Sequence, residues 1–271
     1  MIDIDGFRRY LYEEEMAAST IVCYVHAVRI YAQRFSDITK ENLISFKQDQ
    51  LSRFKPATVN LRIAGMLSYC RYAKIDMHLK SVKLPRRTSV ENVITQDQLD
   101  RLLRGLEKDQ NRCWIVNLLM LSKTGMRISE AIRIRKRDLT AGSVTMQTKD
   151  HMRTIYFPQS LIDAIGEDIS ELGQNDFVLR GKRINDKKPM PITMRGFRAG
   201  LKRIGALYGV PAEVMHPHSF RHFFAIEFLK RKNDIALLAV LLGHSNMDMT
   251  RIYLRQSRET QADAVNQAVK W

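Results

Sequence analysis

The sequence is short of the residues that make disulfide scaffolds, metal modules and membrane spans. Its three cysteines, Cys23, Cys70 and Cys113, are scattered and odd in number, with no C-x-x-C spacing. That excludes a disulfide framework and a cysteine-based zinc module, and suits buried free thiols in a reducing cytosol. No apolar run approaches the roughly 20 residues that a membrane helix needs. The longest, Ile235 to Leu242, has the length of a core helix. The opening Met1-Ile2-Asp3-Ile4-Asp5 is acidic and lacks the apolar stretch of a secretory signal, so a cytoplasmic location is expected. Internal repeats and low-complexity tracts are missing, as are motifs for a nucleotide loop or a serine nucleophile.

Acidic residues are the last shortage. Asp and Glu number 29 against 44 Lys and Arg, a formal net charge of +15 and an isoelectric point near 9.9. Such a surplus favours a polyanionic partner, nucleic acid before an anionic membrane surface, over charge that merely solubilises. With 271 residues, 45% of them hydrophobic, the chain has material for one large folded domain or two ordinary ones.

The apolar pattern divides the chain. Residues 3 to 76 read as a bundle of four helices. Ser19 is expected to cap the helix whose inner face is Ile21, Tyr24, Val25, Val28 and Tyr31. Thr39 opens the next, with Leu43, Phe46 and Leu51 inward, and Pro56 starts the one carrying Val59, Ile63, Met66, Leu67 and Cys70. Lys55, Arg62 and Arg71 read as solvated cations that as a set can meet phosphates. Residues 78 to 94, with Arg86 and Arg87, form a basic, proline-marked connection between a domain at 1 to 77 and one at 95 to 271. Two readings of it stand: a strap along a DNA backbone, or a solvated linker.

In the second part Thr95 and Gln98 have capping-box spacing before Leu99, Leu102, Leu103 and Leu106. A second helix runs through Trp114, Ile115, Leu118, Leu119 and Leu121 to Thr124-Gly125, and Arg127 leads a third over 128 to 135. Residues 142 to 158 alternate as a hairpin, Val144 and Met146 on one arm, Ile155 and Phe157 on the other, with Lys149-Asp150-His151 at the tip. Helical periodicity then covers a segment from Leu161, residues 193 to 208 with Arg195 and Arg198 outward, 218 to 231, and 234 to 243. Gln256 to Trp271 is helix-compatible. The expected fold is mainly α with a small antiparallel β-sheet, in two domains.

The chemistry concentrates in His216-Pro217-His218-Ser219-Phe220-Arg221-His222, Leu242-Gly243-His244 and Tyr253. His218 and Arg221 share one helical face. Arg127 and Arg221 can grip the two non-bridging oxygens of a phosphodiester and neutralise the charge that builds on them without a metal. Tyr253 can attack phosphorus, although a phenol of pKa about 10 must shed its proton to do so. Lys149 can protonate the departing oxygen, and His244 can bond to the phosphate. Taken singly, each has a plainer reading: Arg127 as a surface charge, Tyr253 as a half-buried core residue, and His216, His218 and His222 as a metal site. No carboxylate or cysteine stands nearby to complete such a site, so no metal is expected.

The strings Thr124-Gly125-Met126-Arg127-Ile128-Ser129-Glu130, His218-Ser219-Phe220-Arg221, Leu241-Leu242-Gly243-His244-Ser245 and Ile252-Tyr253 resemble the tyrosine recombinase (phage integrase) family, in its Xer-like, transposon and phage members. The resemblance is sharpest over 95 to 255. It implies that Arg127 is the first catalytic arginine, His218 and Arg221 the His-x-x-Arg pair, His244 the His/Trp position and Tyr253 the nucleophile. Lys149 matches the hairpin lysine, in a turn that lacks the usual glycines. Glu130 and His222 fall at positions that support these groups. The implied protein clamps duplex DNA between a helical core-binding domain and a catalytic domain. It exchanges strands through a 3′-phosphotyrosine link and a Holliday junction, as a tetramer on two DNA sites, with no cofactor and no membrane. The segment after Tyr253 is expected to dock on a neighbouring protomer, and no arm-site module is expected. The rivals are a catalytically silent DNA-binding regulator of the same fold and a type IB-like topoisomerase.

Overall fold

The computed structural model describes residues 2–84, 90–147, 152–181, 191–243, 250, 252–254 and 266. The chain falls into two compact units, Met1–Arg86 and Arg87–Trp271. No described helix is long and apolar enough to cross a membrane.

The first unit holds α1 (Ile4–Glu13), α2 (Ala18–Ala32), α3 (Lys40–Arg53) and α4 (Pro56–Tyr72). α2 lies along α4, with α1 and α3 packed at their sides. Their apolar faces meet in a core of Phe7, Val28, Tyr31, Phe46, Ile63 and Met66. α3 begins at the Thr39 cap, whose hydroxyl accepts the Asn42 N–H at 3.1 Å, and Pro56 occupies the first turn of α4. Two expectations fail by a residue or two. α2 starts after Ala17, with no side-chain cap, so Ser19 lies inside its first turn. On α3 the inward slot belongs to Gln50, seven residues after Leu43 and four after Phe46, and Leu51 faces out. Burying that amide draws in Arg62, which donates to Gln50 Oε1 and lies 3.9 Å from the centre of the Phe54 ring. Arg62 is therefore half-buried and engaged, while Lys55 and Arg71 are exposed.

The stretch expected as a connection is held at both ends. Leu79 is buried in the first unit. Asn60 clasps Val82, its Nδ2 donating to the carbonyl at 2.9 Å and its Oδ1 accepting the N–H at 2.7 Å. At the other end Ile94 is buried in the second unit, its N–H donated to Ser219 Oγ at 2.8 Å. Arg86 and Arg87 lie outside the described residues.

The second unit is built on α6 (Arg112–Thr124), which is buried along most of its length. α5 (Gln96–Lys108), α9 (Gln159–Ser170) and α11 (Pro217–Arg231) pack against it. α5 carries the capping box: Thr95 Oγ1 accepts the Gln98 N–H at 3.2 Å and Gln98 Oε1 accepts the Thr95 N–H at 3.0 Å. The single helix expected over 128 to 135 is two. α7 (Ile128–Ala131) stops, and α8 (Lys136–Thr140) restarts because Asp138 captures the Arg135 N–H at 2.8 Å. Between them the chain turns and then runs extended into Arg135, with Ile134 accepting the Val178 N–H at 2.9 Å. β1 (Ser143–Gln147) pairs antiparallel with β2 (Met152–Tyr156), Val144 opposite Ile155 and Met146 opposite Arg153. The hairpin tip, including Lys149, lies outside the described residues, as do residues 182–190 and nearly all of 255 to 271. α10 (Met194–Leu207) buries Phe197, Leu201 and Ile204 and exposes Arg195 and Arg198. After α11 come α12 (Ile235–Leu242) and a short turn, Ile252–Leu254. The architecture is mainly α with a two-stranded antiparallel sheet.

Replacing Asn60 with Ala removes both bonds to Val82, each worth about 1 kcal/mol net. Hydrogen exchange at the Val82 amide is expected to accelerate by about tenfold or more. Unchanged exchange there would show that the strap is held by other means.

Candidate active site

The last carbonyls of a helix have no partner within it and carry the negative end of its dipole. At the end of α12 three arginines take them. Arg153 of β2 donates to Leu241 O from Nε at 2.9 Å and Nη2 at 2.6 Å. Arg221 of α11 donates to Leu242 O from Nη2 at 2.5 Å. Arg127, just ahead of α7, donates to Gly243 O from Nη2 at 3.1 Å. The helix stops there because Gly243 turns left-handed, at φ +61, a conformation that costs glycine little. A side chain at 243 would also collide with Arg153, whose Cδ lies 2.6 Å from where a Cβ would sit.

Gly125 plays a matching part at the end of α6, also left-handed at φ +59. Its carbonyl accepts Arg221 Nη1 at 2.9 Å. Arg221 is 4% exposed. Burial, with Arg153 and Arg127 adding like charge, pushes its guanidinium down to about 9. Glu130 binds the cluster together. Its Oε1 accepts Arg127 Nη1 at 3.1 Å, and its Oε2 accepts the Arg127 backbone N–H at 2.6 Å and Arg153 Nη1 at 2.5 Å. Burial pushes the Glu130 carboxyl up, but the Arg153 charge, the Arg127 N–H and the Arg127 charge outweigh it and hold the group below its ordinary value.

On α11, His216 is a structural cap, its Nδ1 accepting the Ser219 N–H at 3.0 Å. That lone pair is committed to the helix start. His218 stands on the open side of α11. Partial burial of its ring, then the charges of Arg221, His216, Arg127 and Arg198, lower its pKa, so Arg198 on α10 contributes to the field at this histidine. His222 Nδ1 lies 2.5 Å from Tyr253 Oη. Tyr253 is half-buried and packs with Phe224 and Phe228 on Leu229, Leu238 and Leu242. Burial pushes its phenol up to about 12, against the opposing pull of Arg221. Arg127, Glu130, His218, Arg221, His222 and Tyr253 thus meet in one region. His244 and Lys149 lie outside the described residues, and Arg195 is exposed with no bond to the cluster.

Arg153 was not anticipated as a member of the site. The available signal was its phase: with Ile155 and Phe157 it alternates onto the inward face of β2, a slot where a charged residue needs a partner.

Residues 92–260 match the phage integrase family. The chain belongs to that family. It is a Xer-like tyrosine recombinase, a site-specific enzyme of DNA. It is 28% identical over 267 residues to the tyrosine recombinase XerA of Thermococcus kodakarensis, covering 94% of this chain and 91% of that relative. The fold is shared with the Tn1549 transposon integrase, solved in complex with transposon right end DNA, at a TM-score of 0.75, 16% identity and full coverage, 100% of each chain. It is also shared with lambda integrase, solved as a tetramer bound to a Holliday junction, at a TM-score of 0.73 and 16% identity, covering 94% of the recombinase described here and 78% of that chain.

Glu130→Gln leaves the buried guanidinium of Arg153 and the partly exposed one of Arg127 without their anion and is expected to cost about 3 kcal/mol of stability at neutral pH. Because the folded carboxyl sits below its ordinary 4.5, its contribution is complete above that pH and is lost as pH falls through the folded value. Urea unfolding of both forms should show a gap that is constant above about pH 5 and narrows in acid. Equal stability at pH 7 would contradict this.

Proposed function

We propose that the cluster is the active site of a strand-exchanging recombinase that cuts DNA through a 3′-phosphotyrosine link. The observation that carries this reading is the anchoring of Arg127 and Arg221 on adjacent carbonyls, Gly243 O and Leu242 O, with the Tyr253 hydroxyl bonded to His222, the residue next to Arg221. A phosphate spanning the two guanidiniums would have both non-bridging oxygens held by fixed cations. Charge neutralisation is therefore assigned to arginine rather than to a metal or cofactor. His218, on the open face of the same helix, adds a hydrogen bond to one of those oxygens.

Tyr253 Oη forms the bond to phosphorus while its proton passes to His222 Nδ1, and the bond to the 5′-oxygen breaks. Lys149 is assigned the proton given to that oxygen and His244 a contact to the phosphate, both from their places in the family pattern. The 5′-hydroxyl of a partner strand then attacks the phosphotyrosine and releases the phenol. The bond energy is kept in the protein link, so no external energy source enters. Two such rounds, through a Holliday junction in a tetramer on two sites, complete an exchange.

The helical unit, residues 1 to 77 in the sequence pattern, is assigned as the core-binding domain and 95 to 271 as the catalytic domain. Exposed Lys55, Arg71, Arg195 and Arg198, with Arg86 and Arg87 between the units, are candidates for duplex phosphates. Arg62, stacked on Phe54, has less of its guanidinium to offer. The segment after Tyr253 is assigned to docking on a neighbouring protomer, and the enzyme to the cytoplasm.

A nicked duplex that traps the cut strand tests the chemistry. The native chain is expected to form a covalent adduct whose mapping on element-end or genomic DNA identifies the site. Tyr253→Phe should form none, and Arg127→Ala or Arg221→Ala should slow adduct formation by about 100-fold or more. Exchange between two mapped sites, rather than relaxation alone, separates a recombinase from a type IB-like topoisomerase. Adduct from the Tyr253→Phe form would overturn the assignment.

A further inference from the structure

Every guanidinium nitrogen of Arg153 is taken by a protein acceptor, whereas the described bonds of Arg127 and Arg221 use only their Nη atoms. The Arg153 side chain is 1% exposed. Nε and Nη2 are spent on Leu241 O, and Nη1 on Glu130 Oε2. A full positive charge on an inward strand position is costly, and apolar side chains of similar volume fill such positions without that cost. What the charge accomplishes is visible in its partners. Glu130 is shared: one oxygen faces Arg127 and the other faces Arg153. Two guanidiniums therefore meet a single carboxylate. Without Arg153, the Glu130 charge would fall on Arg127 alone, which is the more exposed of the two partners at 31% and the one assigned to the phosphate. The second partner, Leu241 O, immediately precedes the carbonyls that anchor Arg221 and Arg127. The Arg153 stem also fills the space beside the left-handed Gly243.

We propose that Arg153 is a positioning residue for cleavage: it supplies the countercharge of Glu130, which leaves the Arg127 charge for the scissile phosphate, and it holds the end of α12 against which Arg127 and Arg221 are aligned. This rests on the reading of Arg127 and Arg221 as a phosphate clamp. Arg153 touches no substrate atom and acts through those two.

The test uses the full chain and the nicked duplex identified by adduct mapping, made with either a phosphodiester or a methylphosphonate at the scissile position. The methylphosphonate lacks one of the charged oxygens that the clamp neutralises. Arg153→Met is expected to bind the duplex as the native chain does and to form adduct about 10- to 100-fold more slowly on the phosphodiester. On the methylphosphonate the native-to-variant ratio should shrink by about tenfold, because less charge then needs compensation. Arg153→Lys keeps the charge and loses the fork on Leu241 O, so it should fall between the two. It carries the same comparison if the methionine form does not fold. An equal deficit on both substrates, as a merely structural role would give, overturns the proposal, and so does no deficit. Arg127→Ala serves as the reference. If its deficit is also blind to the substrate, the clamp itself fails; if it responds to the substrate and Arg153→Met does not, only this proposal fails.

Discussion

The site depends on how one short helix ends. Three successive carbonyls, Leu241, Leu242 and Gly243, face outward from the end of α12, and each is taken by an arginine from a different segment. Neither a strand, a helix nor a loop could by itself bring three guanidiniums together, since like charges repel. The helix terminus supplies an array of fixed acceptors on a rigid pitch, and Glu130 supplies a full negative charge. What remains is a net positive cradle whose geometry is set by backbone oxygens rather than by flexible side chains.

This arrangement explains why the flanking elements are placed as they are. α6 contributes Gly125 O, and its burial through the middle of the unit fixes that carbonyl. α11 carries Arg221 into the cluster and, one residue on, His222 against Tyr253. The hairpin joins through Arg153, so the two strands are fastened to the site as well as to each other. Preorganisation of this kind lowers the cost of assembling charge around a phosphate at the moment of reaction.

Features whose cause is local were legible in the sequence. Thr39, Pro56 and the Thr95–Gln98 box start the helices they were expected to start, because a cap needs only its own first turn. Arg127, His218, Arg221 and Tyr253, singled out by their resemblance to the family pattern, are brought into one region by the fold. Features set by tertiary contact were not legible. Gln50 replaces Leu51 on the inner face because Arg62 is at hand to bond it, and nothing near residue 50 in sequence says so. The part played by Arg153 was not legible, since its partners Glu130 and Leu241 lie 23 and 88 residues away. The break after α7 followed from Asp138, a cap signal hidden inside an apparently continuous helical pattern.

The partial burial of Tyr253 keeps its phenol protonated in the free protein, because desolvation raises its pKa to about 12 against the opposing pull of Arg221. As the proposed nucleophile it would shed its proton to a neighbour during attack, and His222 Nδ1, 2.5 Å from the hydroxyl, is placed to take it. The resting molecule thus carries a tyrosine that is chemically quiet.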